Sequence, residues 1–336
     1  MKTIALILGG ITAVVLLTTL YSSVSPDLSA LSSAQVQFQE FKQRHGRKYS
    51  SLSEQLYRFQ VFQESLRVIA EVNADPRNTY TAAVNQFADM TFEEFSAYYL
   101  TKMPSVTEGK CTDHPSPSLH IPDTVNWYET GKVQEPKNQA NCGSCWAFSA
   151  IGAVESALAI KTGQLPNLSE QELVDCSKQY GNNGCNGGLM NLAFDYILDH
   201  KIHNSQDYPY AGRDQHCKTD AIGEGSYSIS GCVKANATID GLIEAIAVQP
   251  VSVAFHVTNG FMFYHGGVYN PWFCIGEPNH GVLAVGYNKT DKVPFYIVKN
   301  SWGGHWGENG FFRIAMGKDK GTCKIAGNGY NYYPLA

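Results

Sequence analysis

The sequence predicts an α+β protein. It reads as two packed lobes, one mainly helical and one mainly strand, with a cleft between them, preceded by a separate helical segment. Three observations carry this. Apolar residues between 34 and 73 recur at helical spacing. Helical patterns fill the stretch from 145 to 200, whereas β-rich stretches punctuated by glycine dominate beyond Ser226. A proline-bearing stretch, 101–120, parts the first helical segment from the rest.

The leading segment is read from its stripe. Phe38 and Phe41 open it, and Leu56, Phe59, Phe62, Leu66 and Ile69 continue it at steps of three and four. Gly46 is placed to separate two helices. In 101–120, Pro104, Pro115 and Pro117 stand among Ser, Thr and Gly109, which predicts an exposed linker open to proteolysis. Ahead of all this, residues 4–20 are apolar or small, with Lys2 before them and Ser22, Ser23 and Ser25 after. That is the layout of a signal peptide. The run is shorter than the roughly 20 residues of a spanning helix, and Gly9-Gly10 interrupts it; an uncleaved anchor is the alternative. The expected organisation is therefore signal peptide 1–25, pro-region with linker 26–120 and catalytic domain 121–336.

Within the catalytic unit, 145–162 reads as a helix stopping at Gly163. Ser169 with Glu172 three residues on is a capping-box pattern opening a second helix, and 189–200 suggests a third. Val251–Phe255, 282–287 and 295–298 read as strands.

The net charge is −5 and no run of like charge occurs. Nothing in that balance would draw nucleic acid or an anionic membrane. The nine cysteines of a secreted chain imply disulfides and one thiol left over. Asn167, Asn236 and Asn288 each open a glycosylation sequon, consistent with the secretory route.

The chemistry concentrates in the segment from Gln139 to Ser149, which contains Cys142-Gly143-Ser144-Cys145-Trp146. Cys145 stands at the predicted start of a helix, where unpaired backbone N–H groups and the helix dipole favour a thiolate. A reactive thiolate needs a base and a group to hold that base. His280 lies just before one predicted strand and Asn300 just after another, 135 and 155 residues beyond Cys145. A lone C-x-x-C could also be a redox pair or half a zinc site. Here no second C-x-x-C exists and no βαβ pattern surrounds the first.

With His280 and Asn300 at those distances, the string around Cys145 closely resembles the papain and cathepsin family of cysteine proteases. The resemblance runs from about residue 35 to the C-terminus. It implies a nucleophile at Cys145, a base at His280, an orienting side chain at Asn300 shielded by Trp302, and an oxyanion donor at Gln139. It implies an extended polypeptide substrate, backbone-bound at Gly187 and Gly188, with a specificity pocket of Leu189, Met190, Ala254 and Gly281. It implies the disulfides Cys142–Cys185, Cys176–Cys217 and Cys274–Cys323, with no metal or cofactor.

The pro-region fits as well. Glu54, Arg58, Phe62, Ile69 and Asn73 follow the family's propeptide pattern, with Ser65 where that pattern has Asn. Residues 83–89 resemble the second propeptide motif, with Ala83 replacing a glycine. The resemblance thus implies a zymogen blocked by its own propeptide, monomeric, open to cystatin-type inhibitors, and routed to a lysosome or vacuole or secreted. A catalytically inactive peptide-binding relative is the alternative reading, against which the complete set of site residues argues.

Several strings, such as Ala254-Phe255-His256-Val257-Thr258, look more like cathepsin H and aleurain than cathepsin L. In cathepsin H a disulfide-bonded propeptide remnant converts the enzyme into an aminopeptidase. Cys111 lies where such a remnant would arise, but the family's partner position holds Asn328. Cys232 is the cysteine left over. A Cys111–Cys232 tether and a discarded Cys111 are both open, and with them aminopeptidase and endopeptidase.

Overall fold

The computed structural model describes residues 33–101, 103–114 and 121–336. The expected signal segment lies outside these residues. The described residues divide into two units, 33–67 with 88–90, and 68–87 with those from 91 to 336.

In the first unit, helix α1 (33–44) ends at a turn where Gly46 takes a left-handed φ of 60°. Glycine has no Cβ to clash there. Helix α2 (Leu52–Ala74) follows, with residues 52–67 in this unit. Phe38 is the hub of the aromatic stripe, with ring centroids 5.3 Å from both Phe59 and Phe62. Leu56, on the same stripe, is exposed near the helix start. Ser65 is buried, and its hydroxyl donates to the Val61 carbonyl one turn back. The Asp89 carboxylate accepts from the Tyr49 hydroxyl at 3.0 Å and pairs with Arg47 at 3.1 Å, while Arg58 donates to the Asp89 carbonyl.

The second unit carries one large sheet. Its strands are β1 (Tyr80–Ala82), β2 (Thr112–Asp113), β3 (Thr124–Asn126), β4 (Gly231–Lys234), β5 (Val251–Phe255), β6 (Tyr264–Tyr269), β7 (His280–Asn288), β8 (Phe295–Lys299), β9 (Phe311–Ala315) and β10 (Tyr332–Leu335). The order is β1-β6-β9-β8-β7-β5-β10-β4-β2, with β3 paired to β7. β5 and β7 are buried along most of their length, which explains their near-continuous apolar sequences.

Helices α3 (Phe92–Tyr99), α4 (Cys145–Thr162), α5 (Glu170–Cys176) and α6 (Met190–His200) precede most of these strands. α4 packs on β7 and stops at Gly163, which is left-handed with φ 79°. At α5, Ser169 accepts from the Glu172 amide as expected, but the reciprocal half of the capping box is absent. The Ser169 amide donates to the His203 carbonyl instead, and the Glu172 carboxylate binds His203 and Tyr196.

A buried charge cluster ties α4 and α5 to the segment before the site. The Lys137 amine lies 2.9 Å from Glu155 and 2.7 Å from Glu170, and both carboxylates are almost fully buried. Burial pushes the Glu170 carboxyl up, while Lys137 pulls it back. Lys137→Met strands two buried carboxylates. The expected cost is about 3–5 kcal/mol, measurable as a large drop in the melting temperature of the precursor.

The stretch 101–114 corrects the expectation of an exposed linker. Its middle is exposed, but Thr101, Met103 and His114 are buried. Strand β2 pairs in parallel with β4, and the His114 ring meets the Tyr333 hydroxyl at 2.6 Å. Pro104 disfavours a helix there; it does not prevent docking. Of the sequon asparagines, Asn167 and Asn236 are exposed and Asn288 is half-buried. The Asn288 side-chain oxygen accepts from the Thr290 amide at 2.9 Å.

Candidate active site

Cys145 is the first residue of α4, and it is a free, fully buried thiol. The Gly281 N–H reaches its sulfur at 3.4 Å. A Cβ on Gly281 would stand 3.2 Å from the Trp146 Cα, so glycine lets β7 approach the helix start this closely. The same residue therefore serves both the sulfur and the packing beneath it. His280, its neighbour, opens β7.

The His280 Nε2 lies 2.8 Å from the Asn300 Oδ1. That oxygen also accepts from the Ser301 amide at 2.8 Å, which fixes it as an acceptor. Nε2 must then carry the proton, and Nδ1, which has no hydrogen-bond partner, is the ring's free base atom. Trp302 stacks on the imidazole with a centroid distance of 4.7 Å.

Gln139 is fully buried. Its side-chain oxygen accepts from the Ser301 hydroxyl at 2.6 Å, which orients the amide. Its Nε2 donates to the Cys142 carbonyl at 2.9 Å and to the Tyr99 carbonyl at 3.1 Å. A carbonyl of the pro-segment thus sits on a donor suited to a developing oxyanion.

The segment around Tyr99 covers the site. Phe87 and Phe95 meet Trp302 edge-on, and Gln86 donates to the Trp302 carbonyl at 2.9 Å. Thr101 donates its amide to the Asn279 carbonyl at 2.8 Å. Met103 then joins the buried apolar cluster that includes Leu189, Met190 and Ala254. Upstream, Asn73 clamps β1 by exchanging two hydrogen bonds with Ala82, and β1 pairs with β6. Gly188 lies against the Trp146 ring, where a Cβ would come within 2.6 Å. Gly187 precedes it with a left-handed φ of 114°.

Burial sets the protonation state. It pushes the Cys145 thiol up to about 11, against the smaller pull of the Gly281, Trp146 and Cys145 amides. It pushes the His280 imidazole down to about 4, with the Asn300 bond opposing it. Burial thus favours the neutral thiol and the neutral imidazole. A thiolate–imidazolium pair belongs to the uncovered site, where water solvates both charges.

This predicts acid opening. With Cys145 replaced by alanine no thiolate faces the ring, and a His that is depressed under cover but ordinary when uncovered binds fewer protons in the covered state between those two values. The covered state is therefore fully favoured above about 6.5 and loses that advantage as pH falls toward about 4. The expected loss is of order 3 kcal/mol. Hydrogen exchange of residues 80–103 in a Cys145→Ala precursor should rise steeply across that window, and His280→Asn should flatten the rise.

Four disulfides are present: Cys111–Cys232, Cys142–Cys185, Cys176–Cys217 and Cys274–Cys323. Cys142 is thus spent on Cys185, which leaves no redox partner for Cys145. Around Cys111, the Lys110 amide donates to Asp195 at 3.0 Å and the Asn191 side chain donates to the Thr107 carbonyl at 2.9 Å. Asn328 instead donates to the Ala254 carbonyl.

Sequence reading missed several contributors. Ser301 orients Gln139, and Tyr210 donates to the Gln139 carbonyl at 2.6 Å while contacting the Ser144 hydroxyl at 2.7 Å. Ser301 could have been suspected from its place beside Asn300. Tyr210, Tyr99 and Met103 carry no local signal, because their partners are distant in sequence.

Comparison with known proteins agrees with this geometry. The model of the papain family of cysteine proteases matches residues 121–333, and that of the cathepsin propeptide inhibitor domain matches residues 38–95. Pro-cathepsin H of Bos taurus is 42% identical over 314 residues, covering 89% of this chain and 90% of its own. A thiol protease aleurain-like protein of Arabidopsis thaliana is 41% identical, covering 86% of this chain and 81% of its own. Among solved structures, digestive procathepsin L 3 of the Tenebrio molitor larval midgut superposes with a TM-score of 0.82 at 37% identity, covering 90% of this chain and 99% of its own. A thiol at a helix start, a histidine held by an asparagine, and a leading segment laid over both are thus found in a chain whose sequence places it with these relatives: it belongs to the papain family of cysteine proteases and carries a cathepsin propeptide inhibitor domain.

Proposed function

We propose that this peptidase hydrolyses peptide bonds through Cys145, His280 and Asn300, and acts on the free amino end of its substrates. The uncovered Cys145 thiolate attacks the scissile carbonyl carbon. The oxyanion is held by the Gln139 Nε2 and the Cys145 amide. His280 passes its Nδ1 proton to the leaving amine, giving an acyl-enzyme. Neutral His280 then takes a proton from water, which attacks the acyl carbon and releases the acid and the thiolate. Asn300 keeps the proton on Nε2 throughout, so Nδ1 remains the working atom. The propeptide acts as an intramolecular inhibitor by placing the Tyr99 carbonyl on Gln139. A secretory route to a lysosome or vacuole is supported by the cathepsin and aleurain relatives and by the disulfides.

The observation that carries the aminopeptidase reading is the Cys111–Cys232 bond. Cuts on both sides of Cys111 would leave a fragment covalently attached. Residues 103–110 lead from the Met103 cluster to that bond, so a retained fragment can fill the side of the cleft that takes residues before the cut. The test compares an N-blocked peptide reporter with a free-amino single-residue reporter after acid processing. The expected result is a preference for the free-amino reporter that reverses in Cys111→Ser. A preference for the blocked reporter in both proteins would mean an endopeptidase with a discarded Cys111.

A further inference from the structure

The loop between β6 and β7 exposes three large apolar side chains. Trp272, Phe273 and Ile275 are 76%, 69% and 72% exposed. The loop carrying them is pinned. Cys274 is bonded to Cys323, the His256 ring meets the Glu277 carbonyl at 2.9 Å, and Gly276 lies flat on that ring. A fixed aromatic ledge that solvent can reach is costly to keep unless something binds it.

One occupant is visible. The Arg77 guanidinium, which also pairs with Asp75 at 2.6 Å, sits over the Trp272 ring, 4.8 Å from its centroid. This is the geometry in which a cation is drawn to the face of an aromatic ring. Arg77 begins the path of the pro-segment along the site. From there the Thr79 carbonyl accepts from Val268 at 2.9 Å, β1 lies on β6, Gln86 reaches Trp302, and Tyr99 reaches Gln139. Only after Tyr99 does the segment enter the side of Met190 and Ala254. Along this path the ledge meets the segment before Tyr99 and the pocket cluster meets it after, so we assign the ledge to the side that takes residues after the cut. Removal of the pro-segment takes Arg77 away and leaves the ring free.

We propose that Trp272, flanked by Phe273 and Ile275, forms an accessory subsite that selects peptide substrates bearing Arg or Lys several residues after the scissile bond. This rests on the reading of Cys145 as the nucleophile of a peptidase. The ledge works whether the enzyme trims amino ends or cuts internally, since both leave residues on that side.

The test uses the processed enzyme and a set of peptides with one N-terminal recognition residue. Arg, Lys, Ala or Glu is placed in turn at the second to sixth position after the cut. Each kcat/KM is divided by that for a reporter with nothing beyond the cut, the free-amino single-residue one or the N-blocked one, whichever the enzyme cleaves, and the peptides are N-blocked in the second case. Failure of both reporters thus reports failure of the peptidase reading, separately from failure of the subsite. The expected result is about a three- to five-fold preference for Arg or Lys over Glu at one position. It should be lost in Trp272→Ala and kept in Trp272→Phe. No preference at any position, or one unchanged by Trp272→Ala, would overturn the proposal. So would Trp272-dependent binding to lipid vesicles in the absence of any basic preference, which would mark the ledge as a membrane contact.

Discussion

Replacing His280 with Gln will lower kcat on a peptide reporter by about 10⁴-fold or more. In the proposed mechanism the imidazole has two duties, and both use Nδ1. It stabilises the attacking thiolate as the imidazolium, and it delivers the proton without which the leaving amine cannot depart. Glutamine can fill the space and donate a hydrogen bond, but it cannot take up and return a proton near neutral pH. KM should change little, because the imidazole touches the reacting atoms and not the rest of the peptide. Asn300→Ala separates orientation from chemistry. The ring keeps its pKa-bearing nitrogen but loses the acceptor 2.8 Å from Nε2. A smaller loss is expected than for His280→Gln, together with a changed pH profile.

Gln139→Ala will lower kcat by about 10²–10³-fold. Ser301 holds the Gln139 amide in place before substrate arrives, so its donor is preorganised and acts mainly on the charge that develops during attack. The same substitution removes the bond to the Tyr99 carbonyl. The precursor should therefore release its pro-segment at a higher pH than the native chain, while the mature variant is slow. A variant that activates more readily yet cuts poorly would be hard to explain by damage to the fold. Peptide kinetics and the pH of processing, measured on one preparation, check both halves.

The legible parts of this protein were those with local signals. The helix from Cys145 shows in its apolar run and in Gly163 at its end, and β5 and β7 show as unbroken β-rich stretches. The string around Cys145 is dense enough to point to a family, and with it to His280 and Asn300. The less legible parts depend on contacts between residues far apart in the chain. The proline-bearing stretch looked like exposed linker because Pro104 and its neighbours deny a helix. Yet Met103 and His114 find buried seats supplied by residues that lie far along the chain. The half-formed capping box has the same origin. Glu172 could not be seen to prefer His203 and Tyr196 until the fold brought them together. The Cys111–Cys232 bond lay between: the odd count left two cysteines over, but only the pairing of β2 with β4 brings them within reach. The protonation of the site was also hidden. Cys145 and His280 suggest an ion pair by chemistry alone, and their burial in the fold is what favours the neutral forms.

The central claim is that Cys145 is the chain's reactive thiol and is held neutral and covered until the pro-segment leaves. Alkylation by iodoacetamide near pH 6.5 measures this directly, followed by peptide mapping, before and after an acid pulse near pH 4. The expected result is a single labelled residue, Cys145, that reacts slowly in the intact precursor and at least 10²-fold faster once the segment is released. Fast labelling of Cys145 in the intact precursor would contradict the account. So would label found on Cys111 or Cys232 without prior reduction.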